Sequence, residues 1–348
     1  MGIMYLGAPF VGAYLQRFPA HSRWLQFFGL LVMILGLVAS SFASRVWHLI
    51  LTQGVVFGLS GGLVYLPTIR YMDEWFIRRK GFAFGVMWAG TGVSGVIIPL
   101  VMEWGLNKYG SSTMLRAWAV VLLVLAGPLL IFVKGRIPVS RTSHPRQLNY
   151  RFLATSKFWI LVSGVVFEGL GFFIPGLYLP TYAQALGMSS VDGALTVVLF
   201  NVASVFGAVI FGSLTDYVHV TSAILISSIG ATFAVLAVWG FAISFPLLCV
   251  FSLIYGLFAG GYSSTWTGIT REIKKDDDGV EAVMVIGVLA AARGIGSVVS
   301  GPLSEAMVNG KVSGSRPQRL AGQTADANFS PSPGWTEQFW GMARDSAP

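Results

Sequence analysis

The chain has 348 residues, of which 54% are hydrophobic and 11% charged, about half the charged share of an ordinary soluble domain. A single cysteine, Cys249, excludes a disulfide framework and a thiolate metal site, and the composition excludes fibrous and disordered classes. The net charge of +8 would suggest a nucleic-acid surface if it formed a patch, but the basic residues lie between hydrophobic runs, so no nucleic-acid partner is expected and the class is an all-α polytopic membrane protein.

Taken in chain order, windows free of Asp, Glu, Lys and Arg cover residues 1–16, 24–44, 46–69, 81–102, 117–133, 193–215 and 217–270. A bilayer-spanning helix needs about 20 apolar residues. The last window must therefore hold two helices, with a turn at residues 242–246 where Ser244-Phe245-Pro246 interrupts the pattern. Residues 158–182 around Glu168 and 282–307 around Arg293 add two spans with one charge each, giving ten in all.

Alternate connections carry very different numbers of basic residues. Arg17, Arg23, Arg70, Arg78, Arg79, Lys80, Lys134, Arg136, Arg141, Arg146, Arg151, Lys157, Arg271, Lys274 and Lys275 lie on one side, and only Arg45, Lys108 and Arg116 on the other. Fifteen against three places the first side in the cytosol by the positive-inside rule. The expected organisation is an N-terminal half over residues 1–133, a basic cytosolic linker over 134–157 attracted to the inner leaflet, a C-terminal half over 158–307 and a polar, disordered tail over 308–348. Ten spans with that orientation put the tail outside, where Asn328-Phe329-Ser330 forms a glycosylation sequon.

The two halves repeat each other. Gly12 to Arg17 closes the first span and Gly212 to Asp216 closes the seventh, 200 residues later. A charged segment precedes a glycine-rich helix at Arg70 to Gly81 and again at Thr270 to Gly279. Gly90-Thr91-Gly92 ahead of Pro99 finds its counterpart in Gly294-Ile295-Gly296 ahead of Pro302. Two such halves with a site at the midplane are the plan of secondary transporters.

These residues resemble a family. Gly12 with Arg17, and Gly212 with Asp216, each look like half of the repeated inner-loop motif Gly-x-x-x-Asp-Arg of the major facilitator superfamily. Trp75-Phe76 with Arg78-Arg79-Lys80-Gly81, the Gly90, Gly92, Gly95 and Pro99 helix, and Ile174-Pro175 with Tyr178, Pro180 and Tyr182 resemble its monocarboxylate transporter family in the fungal branch, as does Arg293-Gly294-Ile295-Gly296 leading to Gly301-Pro302. The resemblance implies family helices two to five plus six in the first half and seven to eleven in the second, without the first and last of twelve. It also implies alternating access, with Gly12, Arg17, Arg78, Arg79, Gly212 and Asp216 forming the inner gate; because each motif copy has kept only one member of its Asp-Arg couple, that latch is expected to be weak. The membrane-embedded Asp and Arg of the family's eighth helix would fall near Ser204 and Ala208, where this chain is neutral.

The candidate site residues follow from cost. A charge inside a span costs a few kcal/mol and belongs beside a wet cavity or a partner. Glu168 is thus a candidate for proton coupling or a structural carboxylate; Arg293 either grips a substrate carboxylate bidentately, snorkels, or pairs with Glu168 or a backbone carbonyl. Asn201, Tyr178, Tyr262 and Trp266 are further substrate candidates inside spans, with packing as the alternative for each. Pro67, Pro99, Pro175 and Pro302 are candidate hinges. Asp276-Asp277-Asp278 beside Lys274 and Lys275 reads as a solvated loop; the four histidines are scattered, and neither metal nor cofactor is expected. The function expected is secondary transport of a small organic solute, a monocarboxylate or related anion, with a co-transported proton, in the plasma membrane or an endomembrane among its lipids. The alternatives are a truncated, non-transporting or partner-dependent remnant and a membrane-embedded enzyme.

Overall fold

The computed structural model describes residues 2–137, 149–277 and 279–309, with side chains to 304. The tail with Asn328, much of the basic linker and Asp278 lie outside the described residues. Helix dominates the remainder, and no strand occurs among the described residues.

Eight helical stretches are long and apolar enough to cross a membrane. After α1 (Gly2–Leu6) and α2 (Ala8–Arg17), which together stay below that length, a short 3-10 turn leads into α3 (Ser22–Ser40). The next span joins α4 (Val46–Leu49), a π-helical segment (Ile50–Val56) and α5 (Phe57–Trp75). The longest element, α6 (Lys80–Phe132), would be about 80 Å if straight, far more than one bilayer crossing. It is two helices turned at Gly110, whose φ of 77° and ψ of 166° suit only a residue without a Cβ. The sequence suggested a loop over residues 103–116; the chain instead stays helical on both sides of that one glycine. Counted with α1–α2 and with both arms of α6, all ten segments read from the sequence are helical.

The second set begins with a 3-10 turn (Arg151–Ala154) and α7 (Ser156–Ala185). Gly187 at φ 81° turns the chain into α8 (Ser190–Tyr217), which opens on a capping box. There Ser189 Oγ accepts from the Asp192 amide at 3.2 Å, and Asp192 Oδ2 accepts from the Ser189 amide at 3.1 Å. Next come α9 (Val220–Phe233) with a π turn (Ala234–Val238), and α10 (Phe245–Gly260), α11 (Trp266–Asp276) and α12 (Ala282–Asn309). Pro246 at the start of α10 starts the helix where the Ser-Phe-Pro step was expected to break one.

Packing joins the two sets along two seams. On one, α6 lies against α8; on the other, α12 lies against α1 and α2, while within its own set it packs against α7. The first seam depends on small residues. A Cβ on Gly85 would meet the Ala208 carbonyl oxygen at 2.5 Å, and one on Gly92 the Asn201 oxygen at 2.9 Å, so the backbones touch only because neither residue has a side chain. Within the second set Gly169 of α7 lies against the Arg293 backbone, its ideal Cβ 2.9 Å from the carbonyl oxygen. Across its most apolar 18-residue window α12 is 67% buried, against 11% for the corresponding window of α6. The central helix is the one that carries Arg293.

Candidate functional site

The close approach of α7 and α12 is what brings Glu168 and Arg293 together. Arg293 Nη2 lies 3.1 Å from Glu168 Oε1, with the two side chains 5% and 10% exposed. The contact is electrostatic without hydrogen-bond alignment, since both Glu168 oxygens and Arg293 Nε find no hydrogen-bond partner. The geometry leaves both members with bonding capacity to offer a third group. Of the options open in the sequence, Arg293 takes the pairing with Glu168.

Aromatic rings surround the guanidinium. Its Cζ is 4.5 Å from the centre of the Phe172 ring, 5.7 Å from Phe173 and 6.0 Å from Trp266, so cation–π attraction offsets part of its desolvation. Trp266 meets Trp88 edge-on at 5.6 Å, and Trp88 meets Tyr65 at 5.8 Å. This chain of rings runs from α5 and α6 to α11, crossing between the two sets of helices. Tyr5, Tyr65, Tyr255 and Tyr262 lie within electrostatic reach of Arg293. Trp266 Nε1 and the Tyr65 hydroxyl are buried without hydrogen-bond partners.

Four of the six central candidates therefore converge: Glu168, Arg293, Trp266 and Tyr262. The other two do not join them. The Asn201 amide donates to the Val197 carbonyl of its own helix at 2.9 Å and lies against Gly95 of α6, and the Tyr178 hydroxyl donates to Ser304 Oγ at 3.1 Å. Sequence reasoning passed over Tyr5, Tyr65, Trp88 and Phe172. Their signal is the presence of several aromatics near the charge-bearing spans, but spacing does not tell which face of a membrane helix points inward. The proposed hinges lie inside continuous helices, Pro67 and Pro175 buried, Pro99 and Pro302 exposed.

The basic end of the bundle holds a second set of charges. Asp73 at the end of α5 is 2.5 Å from Lys80 and 3.1 Å from Lys274 of α11. Asp216 at the end of α8 accepts from the Gly81 and Phe82 amides at 2.8 and 2.9 Å, capping α6 across the seam. Arg271 stands 4.0 Å from the same carboxylate and donates to the Thr215 carbonyl. The motif's adjacent arginine is missing here, and the carboxylate takes two amides at the start of α6 and stands near Arg271 of α11. Gly12 and Gly212 are buried in helix contacts, whereas Arg17, Arg78 and Arg79 are exposed and do not join the Asp216 cluster. Arg70, counted from the sequence among loop cations, is buried inside α5, 3.3 Å from Glu74 and bonded to the Leu15 carbonyl.

In the loop after α11, Asp277 accepts from Asn149 at 2.7 Å and from the Gly279 amide at 2.9 Å. Those bonds, the Asn149 one foremost, hold its carboxyl below the usual range. Asp276 lies 3.6 Å from Lys157. The acidic run thus ties the linker's end to the bundle, and no cluster that could hold a metal ion occurs among the described residues.

Comparison with known proteins accords with this geometry. The model of the Major Facilitator Superfamily matches residues 1–301. An MFS-type transporter of Aspergillus niger, pynF, is 26% identical over 307 residues, 87% of this chain and 70% of that protein. The aspyridones efflux protein apdF of Emericella nidulans is 25% identical over 86% of this chain and 60% of its own length, and monocarboxylate transporter 12 of Rattus norvegicus is 28% identical over 68% and 56%. In fold, the crystal structure of the human organic anion transporter MFSD10 (TETRAN) superposes with a TM-score of 0.67, at 15% identity, over 88% of this chain and 75% of that one. With its stacked apolar helices, its two seams and a match over most of its length, the chain is an integral multi-pass membrane protein and belongs to the major facilitator superfamily.

Proposed function

We propose that this chain carries a small organic anion, of the monocarboxylate kind, across the membrane by alternating access, with Arg293 as the anion-holding group. The observation that carries the reading is the set of idle donors beside the charge pair: Arg293 Nε, Trp266 Nε1 and the Tyr65 hydroxyl are buried and unpaired. A carboxylate is an acceptor-only group and is the complement of such a set. Rings from α5, α6 and α11 would close on the solute from both sets of helices, so that rocking them apart exposes it. The names of the matched relatives, which include efflux proteins and a monocarboxylate transporter, support a transported organic solute.

Glu168 supplies the coupling in this reading. A proton on its carboxylate frees Arg293 for the solute; when both leave, the pair re-forms and the empty carrier resets. In proteoliposomes, Arg293→Ala is expected to lower uptake of an organic anion more than that of a neutral solute. Full rescue by Arg293→Lys would exclude two-point gripping by the guanidinium. Glu168→Gln should leave exchange measurable while removing the pH dependence of net uptake, and an unchanged pH profile would overturn the coupling role.

A further inference from the structure

A cavity of about 700 Å³ opens at the basic end of the bundle, between the 3-10 turn (Arg151–Ala154), the starts of α7 and α9, and the end of α11. It is lined by none of the residues named around Glu168 and Arg293. The 30 residues of α7 make about 45 Å of helix, against about 30 Å of hydrocarbon in a bilayer. Its first turn, which carries Lys157, therefore stands at headgroup depth, where the half-exposed indole of Trp159 suits the interface. Buried Phe152, Phe158 and Val220 back the cavity, while Ile160, 70% exposed, and half-buried Leu161 carry its wall on to the lipid-facing surface.

The rim carries both signs of charge, and they are within reach. Lys157 and Asp276 lie 3.6 Å apart with their side chains 72% and 57% exposed, an open pair of the kind that contributes little by itself. Arg151 is exposed on the same rim, and Glu272 lies 3.6 Å from His219 and 2.9 Å from Lys275. Helix ends add the same two signs. Here α7 begins with no side-chain cap and no acid in its first turn, and α11 ends at Asp276. The amide end of a helix attracts an anion and the carbonyl end a cation.

We infer that this cavity holds the phosphoethanolamine headgroup of a membrane lipid, with its phosphate on Lys157, Arg151 and the start of α7 and its ammonium on Asp276 and Glu272. A purely anionic headgroup would meet Asp276, Asp277 and Glu272 without a charge to offer them. A quaternary amine has no N–H to give those carboxylates, whereas a primary ammonium has three donors. Lys157 and Asp276 exchange each other for the two charges of the ligand, so no buried pair has to be opened. The acyl chains continue along Ile160 and Leu161 into the bilayer.

The test is amide exchange at neutral pH of the full chain in phosphatidylcholine nanodiscs, either pure or with part of the lipid replaced by phosphatidylethanolamine or by phosphatidylglycerol. Residues 150–161 and 272–277 are expected to exchange about ten-fold more slowly with phosphatidylethanolamine than in either other disc, the factor that one charge-assisted hydrogen bond gives. Asp276→Asn and, separately, Lys157→Gln alter exposed side chains and should each abolish that difference between discs. Soluble glycerophosphoethanolamine, added to pure phosphatidylcholine discs, carries the same charges without chains and should give no protection. Protection by the soluble compound would make this a site for a soluble ligand and overturn the lipid. Equal exchange in all three discs, equal slowing by phosphatidylglycerol, or an ethanolamine effect that survives Asp276→Asn would each overturn the inference as well.

Discussion

The two seams of the molecule are built from the same pattern 200 residues apart, yet they are fastened differently. At the α8–α6 seam, Asp216 receives two amides from the start of α6 and stands near Arg271. At the α2–α12 seam the equivalent position is Gln16, 3% exposed, whose Oε1 has no hydrogen-bond partner. Glycines follow the same division: Gly85 allows backbone contact, while a Cβ on Gly12 would lie 3.1 Å from the Val283 carbonyl oxygen, a tight approach that a small shift relieves. One seam is clasped by a charge on a helix end, and at the other the equivalent side chain is a neutral glutamine.

The comparison is tested most severely at the glycines. Gly85→Ala is expected to abolish monodisperse protein in detergent, because the added methyl meets a backbone oxygen at 2.5 Å and backbone cannot swing aside. Gly12→Ala should be recovered in good yield. Equal loss for both would mean that the seams are equally close.

A smaller effect is expected at the clasp. Asp216→Asn removes a charge-assisted cap worth about 1.5–3 kcal/mol and should lower the detergent melting temperature by several degrees. Gln16→Ala, which removes a buried acceptor that bonds to nothing, should change it little. If the two substitutions were alike, the α6 cap would carry no stability of its own.

The smallest effect belongs to the linker's attachment. Asp277 has a lowered carboxyl pKa, so its contribution is present above the ordinary aspartate value of about 3.9 and is lost as pH falls through its own lower value. Amide exchange of residues 150–155 should therefore quicken only below about pH 4. Asp277→Asn should remove that acid dependence; a transition near neutrality would assign it to another group.

How far the sequence could be read differs along the chain for physical reasons. Charge-free windows mark membrane helices because lipid admits few charges, and the turn before Pro246 was legible because proline lacks an amide donor. The reversal at Gly110 was not. Glu103, Lys108 and Arg116 around it look like a polar loop, and nothing in the pattern says that one glycine suffices. Glu168 and Arg293 stood out singly for their cost in lipid, but their pairing depends on Gly169 letting two backbones approach. Asp216 looked half-orphaned because its partners are contributed by Gly81, Phe82 and Arg271, none adjacent in the chain.

The edge-on contact of Trp88 and Trp266 also has an optical consequence. Two indoles 5.6 Å apart and inclined at 80° couple their electronic transitions, and such coupling decays with the inverse cube of separation. The pair spans the gap between helices that alternating access would separate. Its exciton signature in the near-ultraviolet circular dichroism spectrum should therefore rise when the bundle closes over a solute and fade when it opens. Trp88→Phe would identify that component among the signals of the 11 tryptophans, giving a label-free optical reading of how closely the two sets of helices approach.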